Sequence, residues 1–357
     1  MKTYIKFLIN LFNLSFIKIF IIFFVIILVT NILEQAEFFK HVNLSFIYLV
    51  FLSFLNTPSV IFEILPFIFL LSTQIFFIHL INKNELEVLK YAGLNNLKII
   101  KILGLYSFIL GIVFVIFFYN GSAILKNSYL LIKNNYSNDN KYLAVITENG
   151  LWIKDEINDE INIINASKVD SEFLLNVSIT RFNKDFDVVE ILQSEKVDIT
   201  SKNWVIFNPI ILKDASQSSS DKIILESNFD LKKINSLFSN LSSLGIIDLI
   251  TLRKSYLSLN YSVTDINSHL LKIVSYPVYL TLITIFSAII MFNIGYQKNT
   301  FFKITLGVFL SVIIYYINNF LGVLGTNEKI PLILSIFLPL IILSIINFIS
   351  IIKLNEK

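Results

Sequence analysis

Six stretches of this chain, near residues 14–33, 60–81, 99–119, 271–292, 303–323 and 331–352, are almost unbroken apolar sequence. At roughly 20 residues each they are long enough to cross a hydrocarbon layer of about 30 Å as helices. In lipid a spanning segment must satisfy its backbone N–H and C=O groups internally, and runs of this length do so as α-helix. Composition agrees, since 55% of the 357 residues are hydrophobic and the mean hydropathy is +0.71. The first stretch follows Lys2 and Lys6 as in a signal sequence. Its apolar run is too long for that, and no small-residue cleavage site follows in residues 31–37, so it reads as an uncleaved anchor. Residues 3–13 set Tyr4, Phe7, Leu8 and Leu11 at helical spacing beside the two lysines, which predicts a short separate helix lying in the cytoplasmic interface.

Lysine placement sets the orientation. With the N-terminus inside, the cytoplasmic segments hold Lys2, Lys6, Lys83, Lys90, Lys98, Lys101, Lys298, Lys303, Lys353 and Lys357, whereas the short outer loops hold Lys40 and Lys329. Both termini are therefore expected in the cytoplasm, and the long segment 120–270 outside. That segment changes from Phe and Ile runs to Asn, Ser, Asp and Lys mixed with short alternating stretches. Strands are expected at 143–147, 151–154, 161–167, 173–181, 188–192, 196–200, 204–212 and 222–226, with turns at 148–150 and 158–159. Eight short strands predict a sandwich, a jelly roll or a partly open barrel. A helix over 242–258 should return the chain to the membrane. The predicted fold is an α-helical membrane protein with six transmembrane helices in a 3+3 layout, carrying an all-β, jelly-roll-like periplasmic domain between helices 3 and 4. Its parts are 1–119, with a cytoplasmic helix at 83–93; the β-domain at 120–235; a helical return at 236–270; and the last three spans at 271–357.

Several function classes drop out. A net charge of +3 with scattered basic residues gives no nucleic-acid surface. No cysteine is present, and His41, His79 and His269 lie far apart, so no metal site is expected. G-x-x-x-x-G-K-[ST], G-x-S-x-G and H-E-x-x-H are all missing. The chain is expected to be no enzyme and to hold no cofactor. Glu63 and His79 fall near the ends of the second span, where their side chains can reach the interface. Tyr315, Tyr316, Asn318 and Asn319 in the fifth span prefer protein or cavity to lipid, as residues lining a lipid gate would.

The loop between spans 2 and 3 runs Asn84-Glu85-Leu86-Glu87-Val88-Leu89-Lys90-Tyr91-Ala92-Gly93. Asn84 suits an N-cap, Glu85 and Glu87 suit the positive end of a helix, and Gly93 can end it. Leu86, Leu89 and Lys90 share a face, which reads either as a plain interfacial helix or as a docking helix for a groove on a cytoplasmic partner. In the β-segment, Phe173, Leu175, Val177 and Ile179 alternate with polar residues and should point inward. They would face either an ordinary closed core or a trough open to lipid.

Residues 84–93 resemble the coupling-helix signature S-E-L-x-x-[LM]-[RKQ]-x-[AS]-G of the lipopolysaccharide export permeases, the LptF/LptG family. Gly150-Leu151-Trp152-Ile153-Lys154-Asp155 is similar to a G-x-W-x-[KR]-D hairpin in LptG-type members. Pro277 and the Gly307–Gly322 pair fall where the family has similar features, and the likeness covers essentially the whole chain. It implies the permease subunit of an ATP-binding-cassette exporter that takes lipopolysaccharide from the inner membrane to a periplasmic bridge. The implied partners are a cytoplasmic LptB-like ATPase dimer, a paralogous LptF-like permease and a single-span LptC-like protein, with lipopolysaccharide and membrane lipids as ligands. Asn84, Glu85, Leu86, Leu89, Lys90 and Gly93 would then form the coupling helix. Glu34, Glu37, Lys40, Tyr315, Tyr316, Asn319, Trp152, Phe173, Leu175, Val177 and Ile179 would mark the lipid path. One departure is the acidic Glu34 and Glu37 at the outer end of span 1, where some LptG-type relatives carry a basic residue that faces lipid phosphates: either Lys40 substitutes, a bridging cation intervenes, the lipid carried is less phosphorylated, or both acids are merely solvated loop residues. Rival readings are a permease for another lipid or for lipoproteins, which usually places its large domain after the first of four spans, and a membrane-anchored sensor, which needs a cytoplasmic signalling domain.

Overall fold

The computed structural model describes residues 3–40, 44–136, 151–157, 160–170, 172–184, 187–213, 216–229, 231, 234, 240–258, 262–293 and 300–355. Six of its helices are long and apolar enough to cross a membrane. The helices are α1 (Thr3–Phe38), α2 (Phe46–Asn82), α3 (Glu85–Tyr91), α4 (Asn96–Val113), α5 (Asn120–Asn135), α6 (Ile246–Ser258), α7 (Thr264–Asn293), α8 (Thr300–Thr326) and α9 (Leu332–Asn355). A π-helical segment, Phe114–Tyr119, joins α4 to α5 into one long span. The expected separate interfacial helix at 3–13 does not form, because Leu8, Leu11 and Phe12 are buried and carry α1 through without a break. In the same way α2 begins at Phe46, well before the apolar run starting at 60.

The chain divides into two compact units, 1–126 with 264–357, and 127–263. The membrane unit is held by aromatic packing and by polar contacts between its helices. Phe12, Phe16, Phe69, Phe76 and Phe114 interlock α1, α2 and the π-segment, with ring centroids 5.2–6.3 Å apart. Thr57, Thr73 and Thr284 donate to the carbonyls four residues back, the usual refuge of a hydroxyl in a helix. Asn31 Nδ2 donates to Thr57 Oγ1 at 3.0 Å, Ser287 Oγ to the Leu70 carbonyl at 2.9 Å and Asn347 Nδ2 to the Leu282 carbonyl at 2.9 Å. These tie α1 to α2, α2 to α7, and α7 to α9. Pro66 inside α2 has no N–H, which frees the carbonyl of Phe62 four residues earlier. Tyr276 Oη of α7 donates to that same carbonyl. Gly111 lets α4 approach α7, since a Cβ there would meet Pro277 Cα at 2.8 Å.

The second unit carries an all-antiparallel sheet between the third and fourth spans, ordered β1-β2-β3-β4-β5-β8. The strands are β1 (Leu151–Ile157), β2 (Glu160–Asp170), β3 (Phe173–Phe182), β4 (Val188–Asp198), β5 (Asn203–Phe207), β6 (Ile210–Lys213), β7 (Ser216–Ser219) and β8 (Lys222–Glu226). β4 forks, pairing β5 through 196–198 and β6 through 191–193, and β6 continues to β7. The expected breaks shift accordingly. Strands anticipated at 188–192 and 196–200 are one strand, because Ser194 Oγ bonds the Phe207 carbonyl at 2.6 Å and holds the polar middle in the sheet. The stretch 204–212 splits in two at Asn208, which adopts φ 45° ahead of Pro209. The strand expected at 143–147 and the turns at 148–150 and 158–159 lie outside the described residues. The return helix starts at Ile246, after a 3₁₀ turn at Leu241–Ser243.

One apolar core fills this unit around Ile164, Val177, Ile179, Val197, Trp204 and Phe229. Trp204 Nε1 donates to the Phe229 carbonyl at 2.8 Å, so the largest core side chain leaves no polar atom unpaired. The ends of the sheet are joined by a carboxylate. Asp155 on β1, 1% exposed, accepts from Ser227 Oγ at 2.7 Å, Asn228 N at 3.0 Å and Asn228 Nδ2 at 2.9 Å, just past β8.

Candidate functional site

The turn after α2 fixes where α3 sits. Asn84 takes φ 55°, a left-handed conformation that Asn tolerates, and its side chain makes no capping bond. The expected N-cap role is therefore replaced by a backbone role: Asn84 reverses the chain. At the far end Gly93 adopts φ 84°, with Gly93 N on the Lys90 carbonyl at 2.9 Å and Leu94 N on the Leu89 carbonyl at 3.0 Å. Those two bonds form a Schellman stop, which requires the φ that glycine supplies.

Leu86 and Leu89, expected to face a partner, are buried at 2% and 9% exposure. They are α3's anchors to its own unit. The outward face carries Glu87, Val88, Lys90 and Tyr91, of which Tyr91 is 90% exposed. Both apolar stripes, 86/89 and 88/91, are written in the sequence; which of them meets the bundle depends on the turn at Asn84. Glu85 lies between the two faces, its Oε2 3.9 Å from His79 Nε2 at the end of α2. The arrangement is a rigid apolar-acidic knob, held at both ends by backbone geometry.

The residues expected along the lipid path separate into different environments. Lys40 Nζ pairs with Glu37 Oε1 at 2.5 Å, and both are exposed. With Glu34 beside them, the end of α1 is acidic, and Lys40 does not act there as a lone cation. Tyr315 packs its ring on Phe67 at 5.8 Å, while Tyr316 and Asn319 are exposed on α8. In its most apolar stretch, α8 is 11% buried and α1 17%, against 61% for α2 and α7. Polar groups on so bare a helix call for a protein or cavity neighbour.

In the sheet, Val177 and Ile179 face the core as expected, but Phe173 and Leu175 do not; Leu174 takes the inward place. The cause is Asn176, whose φ of 49° rotates β3 by one position and reverses its parity below that point. Trp152 points away from the core at 56% exposure, between buried Leu151 and Ile153. Phe173, Asn176, Gln193, Lys196 and Phe207 line an open cavity of about 880 Å³ on the sheet, where Lys196 Nζ sits 3.6 Å from the centre of the Phe173 ring. Among the described residues, no group of three His, Cys, Asp or Glu side chains forms a metal site.

The family described as Lipopolysaccharide export system permease LptF/LptG matches residues 6–353. Among curated proteins none matches the chain.

Proposed function

We propose, from the premise that this chain belongs to the LptF/LptG family of lipopolysaccharide export permeases, that it is the permease subunit through which a cytoplasmic ATPase drives lipid extraction. It is a multi-pass inner-membrane protein by family and by its six spans. The observation that carries the coupling reading is α3, whose Leu86 and Leu89 hold it to the unit while Val88, Tyr91 and Glu87 stay outward. Such a knob fits a groove on an LptB-like ATPase dimer, and ATP-driven closure of that dimer would be delivered to the end of α2 through the 83–84 turn. The ATPase supplies the chemistry; this subunit is no enzyme and needs no cofactor.

The bare faces of α1 and α8 suit packing against a paralogous LptF-like subunit and a single-span LptC-like protein, with the lipid cavity between the paired permeases. The 150–155 stretch favours the LptG-like member of the pair. Termini and α3 lie in the cytoplasm on this reading, and the jelly-roll-like β-unit in the periplasm passes lipopolysaccharide toward the bridge.

The test is copurification from detergent. The wild-type chain should bring down an ATP-binding-cassette ATPase together with a second six-span permease, and Tyr91→Asp should lose the ATPase while keeping the permease. Recovery of neither partner with the wild-type chain, or of the ATPase undiminished with Tyr91→Asp, would overturn the proposal.

A further inference from the structure

Regular pairing in the sheet lapses at one level in neighbouring strands. Between β3 and β4 it skips Asn176 and Glu195. Between β4 and the β5–β6 stretch it skips 194–195 and 208–209, and from there to β7 and β8 it skips 208–209 and 220–221. Two of the breaks are left-handed asparagines, Asn176 at φ 49° and Asn208 at φ 45°. In β4, Ser194 Oγ accepts the Lys196 N–H at 3.1 Å and donates to the Phe207 carbonyl at 2.6 Å. Aligned breaks of this kind crease a sheet and re-aim its side chains, and such irregularities recur beside binding sites. The faces swap parity across the line: Leu174, Val197 and Ile206 face the core on one side of it, Val177, Ile179 and Leu192 on the other.

The cavity of about 880 Å³ follows this crease on the face away from the core, and its size falls within the roughly 300–1,000 Å³ of small-molecule sites. Its two walls differ in chemistry. On one side Lys196, Phe207 and Lys222 pair across β4, β5 and β8. Lys196 Nζ lies 3.6 Å from the centre of the Phe173 ring, and Lys222 Nζ 5.3 Å from that of Phe207. Rings and lysine stems therefore make one apolar surface. On the other side Ser178 pairs with Gln193, setting a hydroxyl beside an amide. Lys196 and Glu195 both line the cavity, so its charge is balanced.

We propose that this crease binds a sugar ring of a glycan. A pyranose offers C–H faces that pack on aromatic carbon and hydroxyls at its edge that both donate and accept. The two walls match these in turn, with carbon from Phe173 and Phe207 and paired donors and acceptors from Ser178 and Gln193. Balanced charge gives no preference for an anion. The cavity lies over β3, β4 and β5, inside the strand order, away from the edges where an extended peptide would add a strand. The site is separate from the apolar core and goes beyond the permease reading. The sugar is either the glycan head of a lipid cargo or a free oligosaccharide, and both present the same ring.

The test is equilibrium dialysis of the full-length chain in nanodiscs against two radiolabelled probes: the oligosaccharide released from lipopolysaccharide by mild acid, and maltohexaose. Binding above empty nanodiscs is expected. Phe207→Leu, which removes the ring and keeps apolar bulk, should weaken it by about tenfold. Gln193→Leu, at an exposed position that folding tolerates, should weaken it by about fivefold, the equivalent of one hydrogen bond. Thr180→Ala, in the same strand but outside the cavity, should leave it unchanged. Emission from Trp152 and Trp204, both in this unit, checks that each variant is folded. Retention of the released oligosaccharide alone supports the site and assigns it to the head of the cargo; retention of both probes supports it as a general pyranose site. No retention of either probe by the wild-type chain, wild-type affinity in both Phe207→Leu and Gln193→Leu, or an equal loss in Thr180→Ala would overturn it.

Discussion

Removing the Asp155 carboxylate should loosen the β-unit selectively. Its oxygens accept a hydroxyl and a backbone N–H from Ser227 and Asn228, at 2.7 and 3.0 Å, and the Asn228 side chain at 2.9 Å. The Asn228 side chain is exposed and rehydrates after the change, so the two other bonds dominate. Hydrogen bonds to a buried charge contribute about 1.5–3 kcal/mol each, so Asp155→Ala should cost about 3–6 kcal/mol, with Asp155→Asn costing less. The chain contains two tryptophans, Trp152 and the fully buried Trp204, and both lie in this unit, so emission from the full-length protein in nanodiscs reports it without interference from the membrane helices. With a urea dependence of about 1.5 kcal/mol per molar, the red-shift midpoint should fall by about 2–4 M in Asp155→Ala. A midpoint within a few tenths of a molar of wild type would refute the claim that this carboxylate joins the ends of the sheet.

Single cysteines at the exposed positions Ser219 and Asn95 should show the first labelled and the second protected when intact cells meet an impermeant maleimide; the reverse pattern would invert the topology. Val88→Asp should cut transport-coupled ATPase activity by at least about tenfold, as loss of one interface anchor does, whereas Leu89→Asp should also release α3 from its unit and raise protease cleavage between 83 and 95. Normal export by both variants would remove α3 from the coupling path. A photo-crosslinking residue at Ile179 should capture lipid only with ATP if the β-unit is the conduit, and one at Leu175 should capture less; equal yields would mean that burial in the sheet does not mark the path. Gly111→Val should destabilise the membrane unit by about 2–3 kcal/mol, because the new side chain collides with Pro277; a melting temperature matching wild type would refute that close approach.

The six spans were legible because hydropathy marks the length of chain that lies in lipid. It does not mark where a helix stops. Phe46 to Ser59 carries α2 beyond the apolar run through side-chain contacts such as Phe54 with Phe24 and Thr57 with Asn31, neither of which periodicity alone reveals. The sheet was legible as a set of alternating stretches, but a single left-handed residue rewrites its faces. Asn176 could not be told from an ordinary polar outward residue, and it moves Phe173 and Leu175 off the core face. For α3 the sequence contained both apolar stripes and the correct stop at Gly93. The choice between the stripes belongs to the backbone at Asn84.

The bond from Tyr276 to the carbonyl left open by Pro66 has a mechanical side. A proline gives a long helix its softest point, and a rod that bends there would absorb a push at its cytoplasmic end instead of passing it on. Here the soft point is splinted by a tyrosine from α7, so bending α2 at Pro66 means dragging α7 with it or breaking the bond. A force applied at the 83–84 turn would thus pass Pro66 as a joint displacement of two helices, α2 and α7.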